Sequence, residues 1–419
     1  MENSTTDSQN PKTAGLNSKS LPLNNRVETG LSRLLADPSI QARIQGNIGY
    51  LCHSASVTPG LEHGALALKR LFGPRLKALF APQHGFATDA QDNMIESPHF
   101  YHPYLQLPVY SLYSETRVPT PQMLEHIDTL VIDLQDNGTR VYTYIWTMVL
   151  VLEACARAGV GVVILDRPNP LGGTRVEGNI SEMEFRSFIG WRPLPMRHGM
   201  TIGEVARFAS AHWGMDAPLD VVPMSGWQRA FGFSECGLPW VLPSPNFPTP
   251  DTAMVYPGTV LLEGTNISEG RGTTRPFELI GHPNLQAFPF CESFNQRLNK
   301  MGLKGCMLRP AAFIPTFDKF QGQVCQGLQI HIADSRACNP WELGQWLLHS
   351  LYRELGLLLE WRQPPFEYVE DILPIDLLNG SANFRAWVEK QGSRDELLGL
   401  QYAGYPEFMD RRSEVLLYG

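Results

Sequence analysis

The sequence lacks several features that would assign it to a common class of protein. Its 419 residues contain no run of about 18 consecutive apolar residues, which argues against a transmembrane helix. It has no excess of basic residues either, because 34 Lys and Arg stand against 42 Asp and Glu and give a net charge of −8. Such a chain has no overall electrostatic reason to bind nucleic acid. We therefore predict neither a membrane span nor a nucleic-acid partner.

Motifs of several large enzyme classes are also missing. No G-x-G-x-x-G follows a predicted strand, and neither G-x-x-x-x-G-K-[ST] nor G-x-S-x-G occurs. These absences argue against dinucleotide-binding enzymes, P-loop NTPases and serine α/β-hydrolases. The eleven histidines are scattered and form no H-E-x-x-H. We therefore expect no organic cofactor and no metal ion.

Two further absences concern the cellular compartment. The seven cysteines are odd in number, form no C-x-x-C pair and include several in apolar runs such as IGYLC and VLEACA. This pattern favours buried thiols in a reducing cytoplasm over a disulfide framework. Residues 1–26 are polar and contain no apolar core of a signal peptide, so we predict a disordered tail there.

The first half of the chain alternates strand-like and helix-like segments. Strands are predicted at residues 47–52, 76–81, 107–112, 129–134 and 161–165, and helices at 64–72, 121–126 and 142–158. This alternation is typical of a Rossmann-like parallel sheet with helices on both faces. A Pro- and Trp-rich stretch from about residue 190 to 250 follows. One more helix is predicted at residues 201–209, where Thr201 and Glu204 form a capping box, and residues 236–251 are predicted to be mostly extended loop because of their prolines. We predict an α/β fold with a Rossmann-like domain over residues 27–240 and a second domain over 241–419.

Polar residues follow three of the predicted strands directly. The loops read PQHGFATDAQDN after residue 81, QDNGTR after residue 134 and DRPNPLGG after residue 165. The carboxyl ends of parallel strands lie at one edge of a sheet, where ligands bind. The three loops are therefore predicted to converge on one cleft.

The residue types in these and later loops suit sugar chemistry. Carboxylates, amides and arginines match sugar hydroxyl groups, and aromatic rings stack on the apolar faces of sugars. Two carboxyl groups, one of them protonated, are the usual minimum for glycoside hydrolysis. The candidate carboxylates are Asp89, Asp92, Glu96, Asp136, Glu177, Glu263 and Glu269.

At this point a family resemblance becomes specific. Eight motifs occur in order: APQHGF, PVYSLYSETRVPTPQML, DLQDNGTRVYTYIWT, LDRPNPLGG, PMRHGMTIGE, PSPNFPT, YPGTVLLEGTNISEGRGTTRPFE and PTFDKFQG. They resemble the NamZ family of exo-β-N-acetylmuramidases from about Val27 to the C-terminus. The resemblance implies a Rossmann-like N-terminal domain, a smaller α/β C-terminal domain and a cleft between them. It also implies release of β-linked N-acetylmuramic acid from the non-reducing end of peptidoglycan fragments, in cell-wall turnover, without a cofactor.

Site residues are predicted from these motifs and loops. The catalytic candidates are Gln83, His84, Asp136 and Glu263. The substrate-binding candidates are Arg140, Tyr142, Arg167, Asn169, Asn246, Asn266 and Arg271. Muramic acid carries a lactyl carboxylate, which an arginine fork binds well, and Arg140, Arg167 and Arg271 are the candidates for that contact.

One residue departs from the family pattern. Many members that resemble this chain carry a glutamate, a natural general acid, where Gln83 stands here. An amide cannot donate a proton to a leaving oxygen at neutral pH. Either another carboxylate does so, or the position only binds substrate. The alternatives are a cytoplasmic muropeptide-binding sensor without hydrolytic activity and an enzyme acting on a different acylated amino sugar.

Overall fold

The computed structural model describes residues 27–91 and 94–419. The predicted disordered tail over residues 1–26 and the candidate carboxylate Asp92 lie outside the described residues. Among the residues that are described, no helix combines the length and apolar character needed to cross a bilayer.

A seven-stranded sheet forms the centre of the N-terminal part. Its strands are β1 (Ile48–Cys52), β2 (Leu76–Ala81), β3 (Phe100–His102), β4 (Leu107–Ser111), β5 (Thr129–Asp133), β6 (Gly161–Leu165) and β7 (Leu219–Val222). They lie in the order β3-β4-β2-β1-β5-β6-β7, and all neighbours are parallel except β3 and β4. The central strands β1 and β5 are buried throughout, as expected for a parallel sheet covered on both faces. The predicted α/β class is confirmed.

A second, smaller sheet lies in the C-terminal part. It consists of β8 (Leu279–His282), β9 (Cys306–Phe313) and β10 (Cys325–Ile332), in the antiparallel order β8-β10-β9. We propose that the boundary predicted between residues 240 and 241 lies in the Pro-rich stretch that precedes this part of the chain.

Helices cover both sheets. They are α1 (Gly30–Ala36), α2 (Pro38–Gln41), α3 (Gly64–Phe72), α4 (Pro121–Leu124), α5 (Tyr144–Ala158), α6 (Ile202–Trp213), α7 (Pro250–Thr259), α8 (Ala287–Met301), α9 (Pro340–Leu355), α10 (Pro374–Asn379), α11 (Asn383–Glu389), α12 (Arg394–Tyr402) and α13 (Tyr405–Ser413). Short 3-10 helices are Gly73–Arg75, Met183–Phe185, Phe233–Cys236, Val260–Gly264 and Gly356–Leu358. The axes of α7 and α9 approach closely because both contain a glycine: a Cβ on Gly258 would lie 1.9 Å from the Pro340 carbonyl oxygen.

Two differences from the predicted elements affect the cleft. Helix α5 begins at Tyr144, two residues later than predicted, so Tyr142 belongs to the loop after β5. Helix α7 begins at Pro250, at the end of a segment predicted to be extended loop because of its prolines. Pro250 occupies the first turn, where its missing N–H costs nothing, and Thr249 caps the helix.

Candidate active site

The loops after β2 and β5 meet at the centre of the larger sheet. Strand β1 lies between β2 and β5, and the strand order reverses at this point: β2 continues the sheet on one side of β1, and β5 continues it on the other. Crevices outside the carboxyl ends of the strands at such a point bind ligands. A cleft lies here, and the C-terminal part supplies its other wall. Its polar lining includes Gln83, His84, Tyr142, Thr143, Ser244, Asn246, Glu263, Arg271 and Glu367.

Arg271 is the cation of this cleft. Its Nη2 lies 2.8 Å from Glu263 Oε1, and its Nε lies 3.2 Å from Glu269 Oε1. Burial alone would raise the pKa of Glu269, but Lys319, 2.8 Å away, and Arg271 hold that pKa below its usual value. Although Arg271 is buried, the two glutamates raise the pKa of its guanidinium further. Among the described residues no partner accepts a hydrogen bond from its buried Nη1.

Glu367 is a second carboxyl group in the cleft, and it comes from a part of the chain that the sequence analysis did not single out. Only 4% of the residue is exposed, and its Oε2 accepts a hydrogen bond of 3.2 Å from the Tyr113 hydroxyl. Burial, assisted by the negative charge of Glu263, raises its pKa to about 7. The cleft thus contains two carboxyl groups in different surroundings, which is how acid and base roles are separated at one pH.

Aromatic rings form the floor and walls of the cleft. Tyr142 lies 4.8 Å from Tyr144 and 5.1 Å from Phe247, measured between ring centroids. Tyr256 continues this cluster, at 4.8 Å from both Phe247 and Phe277. Such rings offer apolar faces to a sugar, beside the polar groups that bind its hydroxyls.

Gln83 and His84 lie in the lining, as predicted residues of the loop after β2. Gln83 Oε1 accepts a 2.7 Å hydrogen bond from the Thr143 hydroxyl. The amide nitrogen of Gln83 is therefore the atom that can donate to another acceptor. His84 adopts a φ of 71°, and its Nδ1 lies 2.7 Å from the Ala90 carbonyl oxygen. A carbonyl only accepts, so Nδ1 carries a proton. Asn246 donates to the Gln91 carbonyl oxygen at 3.1 Å and holds this loop against the cleft.

Asp136 does not line the cleft, although it was a catalytic candidate. Its Oδ2 accepts a 2.6 Å hydrogen bond from the Gly138 amide, and among the described residues Oδ1 has no partner. Burial raises its pKa to about 7. His198 Nε2 lies 3.8 Å from Oδ2, and burial lowers the pKa of that imidazole to about 3. We propose that Asp136 shapes the loop that carries Tyr142.

Two of the three candidate arginines also lie outside the lining. The buried guanidinium of Arg140 donates to the carbonyl oxygens of Asn179, Leu194, Leu378 and Asn379, at 2.7 to 3.1 Å. Its burial lowers its pKa to about 9. These four acceptors leave it little capacity for a substrate carboxylate.

Arg167 is committed to a buried ion pair. Its Nη2 lies 2.9 Å from Asp133 Oδ2, which also accepts a 2.7 Å hydrogen bond from the Tyr50 hydroxyl. The same Nη2 donates to the Val57 carbonyl oxygen at 3.0 Å. Arg167 lines a separate, smaller cavity beside Gln135.

The remaining candidates support loops or lie at the surface. Asn169 donates to the Met200 carbonyl oxygen and packs under Gly138, whose missing Cβ would lie 2.2 Å from Asn169 Oδ1. Asn266 bonds to the backbone of Leu358 and Glu360, away from the cleft. Of the other carboxylates, Asp89 and Glu96 are exposed and Glu177 pairs with Arg197 at 2.6 Å.

No cluster of three or more His, Cys, Asp or Glu side chains suited to a metal ion occurs within residues 27–91 and 94–419. The sequence analysis missed Glu367, Thr143, Ser244, Tyr256 and Phe277. Thr143 lies in the loop after β5 beside Tyr142, so the argument from strand ends could also have identified it. Glu367 follows no strand of the larger sheet, so that argument could not find it.

Comparison with known proteins finds relatives that match most of the chain. Family models described as the N-terminal and C-terminal parts of exo-β-N-acetylmuramidase NamZ match residues 48–251 and 254–418. The peptidoglycan β-N-acetylmuramidase NamZ of Bacillus subtilis (strain 168) is 39% identical over 397 residues, which cover 94% of this chain and 92% of that protein.

Two solved structures share the fold. Both are DUF1343 family proteins from Bacteroides fragilis NCTC 9343. One matches with a TM-score of 0.83 and 29% identity over 94% of this chain and 100% of its own, and the other with 0.71 and 26% over 94% and 99%. The resemblance inferred from the eight motifs is confirmed, and the chain belongs to the NamZ family.

Proposed function

We propose that this protein is a glycoside hydrolase that releases β-linked N-acetylmuramic acid from the non-reducing end of peptidoglycan fragments. The observation that carries the proposal is the cleft itself, where Glu263 and Glu367 lie with an arginine whose Nη1 has no acceptor within the described part of the chain. Family membership and the 39% identical B. subtilis muramidase support the same reaction. Its partners are accordingly muramic-acid-containing saccharides.

The substrate's own charge fits the cleft. N-acetylmuramic acid differs from N-acetylglucosamine by a lactyl ether that carries a carboxylate. Arg271 is buried, held between Glu263 and Glu269, and retains one donor nitrogen. Hydrogen bonds to charged groups are among the stronger ones in proteins, and a buried donor left unpaired is costly. We propose that Arg271 binds the lactyl carboxylate and that Gln83, Asn246 and Tyr142 contact the rest of the sugar.

This assignment leads to an expected selectivity. The 4-methylumbelliferyl β-glycoside of N-acetylmuramic acid should be hydrolysed with a kcat/KM at least about 10-fold above that of the N-acetylglucosamine glycoside, because only the former pairs with Arg271. Arg271→Lys should reduce this ratio, since an ammonium lacks the planar fork. Arg275→Lys, at an exposed arginine four residues on, serves as the control and should keep the ratio. A ratio that Arg271→Lys leaves unchanged would assign the lactyl group elsewhere.

Gln83 provides a second test within the cleft. We expect Gln83→Glu to raise KM for a muramoside by up to about 10-fold, because it removes the amide donor and adds a carboxylate near the substrate's own. Thr143 would still donate to the new side chain, so the loop should keep its position. Rates of the wild type and the variant on one muramoside, from about pH 5 to 8, decide the matter. A large gain in kcat would instead make this position the missing acid.

We also propose that the protein works in a reducing compartment, the cytoplasm, in cell-wall turnover. All seven cysteines are free thiols, and six of them are buried. An oxidising compartment would expose such a chain to mispairing during folding.

A further inference from the structure

The turn that carries Glu367 has an unusual backbone. Phe366 and Val369 exchange two backbone hydrogen bonds of 3.0 Å, so Glu367 and Tyr368 occupy the two central positions. Their φ angles are 46° and 64°, in the left-handed region. Turns of this kind favour Asn and Gly at both positions, and neither is present. Backbone strain of this sort persists where the surrounding structure enforces it, and it is concentrated at functional sites.

The strained turn directs its two side chains to opposite environments. Glu367 points into the cleft and is buried, with the Tyr113 hydroxyl 3.2 Å from its Oε2. Tyr368 is 48% exposed, and the guanidinium of Arg117 lies 3.9 Å from its ring centroid. Tyr113 also lies under Arg117, at 4.7 Å. The Tyr113–Arg117–Tyr368 stack therefore fixes the turn from outside, and Glu367 is placed in the cleft as a consequence.

The partners of the two cleft carboxyls differ in kind. Glu263 pairs with the cationic guanidinium of Arg271 at 2.8 Å. Glu367 has a neutral phenol as its hydrogen-bonding partner. Tyr113 occupies Oε2, so a proton on this carboxyl belongs on Oε1. Gln83, an amide, has no such proton to give.

We propose that Glu367 is the general acid of this active site, donating its proton to the glycosidic oxygen of the substrate. This assignment rests on the proposed function. As the bond between C1 and the glycosidic oxygen breaks, its electron pair stays with the oxygen, which takes the Glu367 proton and leaves as a hydroxyl. Water adds its hydroxyl to C1 of the muramic acid, and its second proton returns to the Glu367 carboxylate, directly or by way of the Glu263 carboxylate and solvent. One water is consumed for each bond cleaved, and the Glu367 proton is restored.

The pH dependence follows from the surroundings of Glu367. Burial raises its pKa to about 7, Glu263 adds to the rise, and Tyr113, Arg117 and Arg271 oppose it. Tyr256 also faces this carboxyl group, and burial raises the pKa of that phenol well above its usual value. The acid form of Glu367 is present below its pKa, so kcat/KM should fall as the pH rises through about 7. The loss of the proton from Glu367 then accounts for the basic limb of the profile.

The test compares two substrates that differ in their need for an acid. The β-1,4-linked disaccharide of N-acetylmuramic acid and N-acetylglucosamine has a poor leaving group. In the 2,4-dinitrophenyl β-muramoside the leaving group is dinitrophenolate, which departs without protonation. Glu367→Gln should lower kcat on the disaccharide by at least about 100-fold and on the dinitrophenyl glycoside by less than about 10-fold. It should also remove the basic limb. Glu370→Gln, at an exposed glutamate three residues on, is the matched control and should resemble the wild type.

Each possible result supports or contradicts the assignment of Glu367 as the acid. Equal losses on both substrates, or near-normal rates on both, overturn the assignment of Glu367 while the muramidase activity of the wild type stands. A wild type that cleaves neither muramoside overturns the proposed function, and this assignment with it. Glu367→Asp keeps an ionisable group in the same turn and should retain a basic limb at a lower rate. That limb distinguishes an acid from a residue that only supports the fold, and its absence would count against the proposal.

Discussion

Glu263→Gln should lower kcat/KM on β-muramosides by at least about 100-fold, the usual scale for losing a catalytic carboxylate. Glu263 lines the cleft and pairs with Arg271, so we propose that it acts as the nucleophile or base on the sugar side of the bond. An activated leaving group should not rescue this variant, because the missing group does not serve the leaving oxygen. The rates on the disaccharide and on the dinitrophenyl glycoside, measured side by side, test both points.

Glu269→Gln is the control for that experiment. Glu269 is the other buried partner of Arg271, at 3.2 Å, but it is absent from the cleft lining. Both variants therefore disturb the same guanidinium, and only one removes a carboxylate from the cleft. We expect the Glu269 variant to lose markedly less activity than the Glu263 variant. Equal losses would mean that Glu263 acts only by holding Arg271.

Arg167→Met should reduce the free energy of unfolding by about 3–5 kcal/mol, the range seen when one partner of a buried ion pair is removed. Asp133 is fully buried, and the substitution would leave its carboxylate with only the Tyr50 hydroxyl and no cation. Urea unfolding followed by circular dichroism measures the change. Arg167 is not among the residues that line the cleft, so the folded fraction should keep much of its activity.

Arg43→Met offers the matched comparison at the surface. Arg43 pairs with Asp220, and their side chains are 41% and 38% exposed. Water and salt screen such a pair, so its loss should cost no more than about 1 kcal/mol. If the two variants lost similar amounts of unfolding free energy, Asp133 would have to tolerate the loss of Arg167 better than its burial implies.

The parallel core was predictable because its signals are local. Strands β2 and β6 and helix α3 have the bounds that their apolar patterns predict, and α6 begins after Thr201 with the capping box that Thr201 and Glu204 predict. Strand β9 was not predicted, because it is partly exposed and contains Pro310 and therefore lacks a continuous apolar run. Helix α7 was not predicted, because its prolines argued for loop and the sequence does not show that Pro250 lies in the first turn, where proline is tolerated.

The family motifs identified Asn246, Glu263 and Arg271, which line the cleft. The rest of the active site was predictable only where it follows the rule that ligands bind at strand ends. That rule places Gln83, His84 and Tyr142 in one cleft, and the structure brings them together there. It has no means of finding Glu367, which reaches the cleft through a turn whose backbone conformation its residue types do not suggest. Nor does it separate Arg140 from Arg271, because carbonyl partners distant in sequence, such as Leu378, are what commit Arg140 to the fold.

The bonding of Arg140 also bears on how the two walls of the cleft move. Its guanidinium joins carbonyl oxygens of residues 179 and 194 to those of residues 378 and 379, near the end of α10. Hinge opening between the two parts of the chain would separate these acceptors and leave a buried cation without its bonds. We therefore expect substrate to enter a cleft whose two walls are already in place. Deleting the C-terminal part would remove two of the four acceptors of this buried guanidinium, so we expect the N-terminal part not to fold stably by itself.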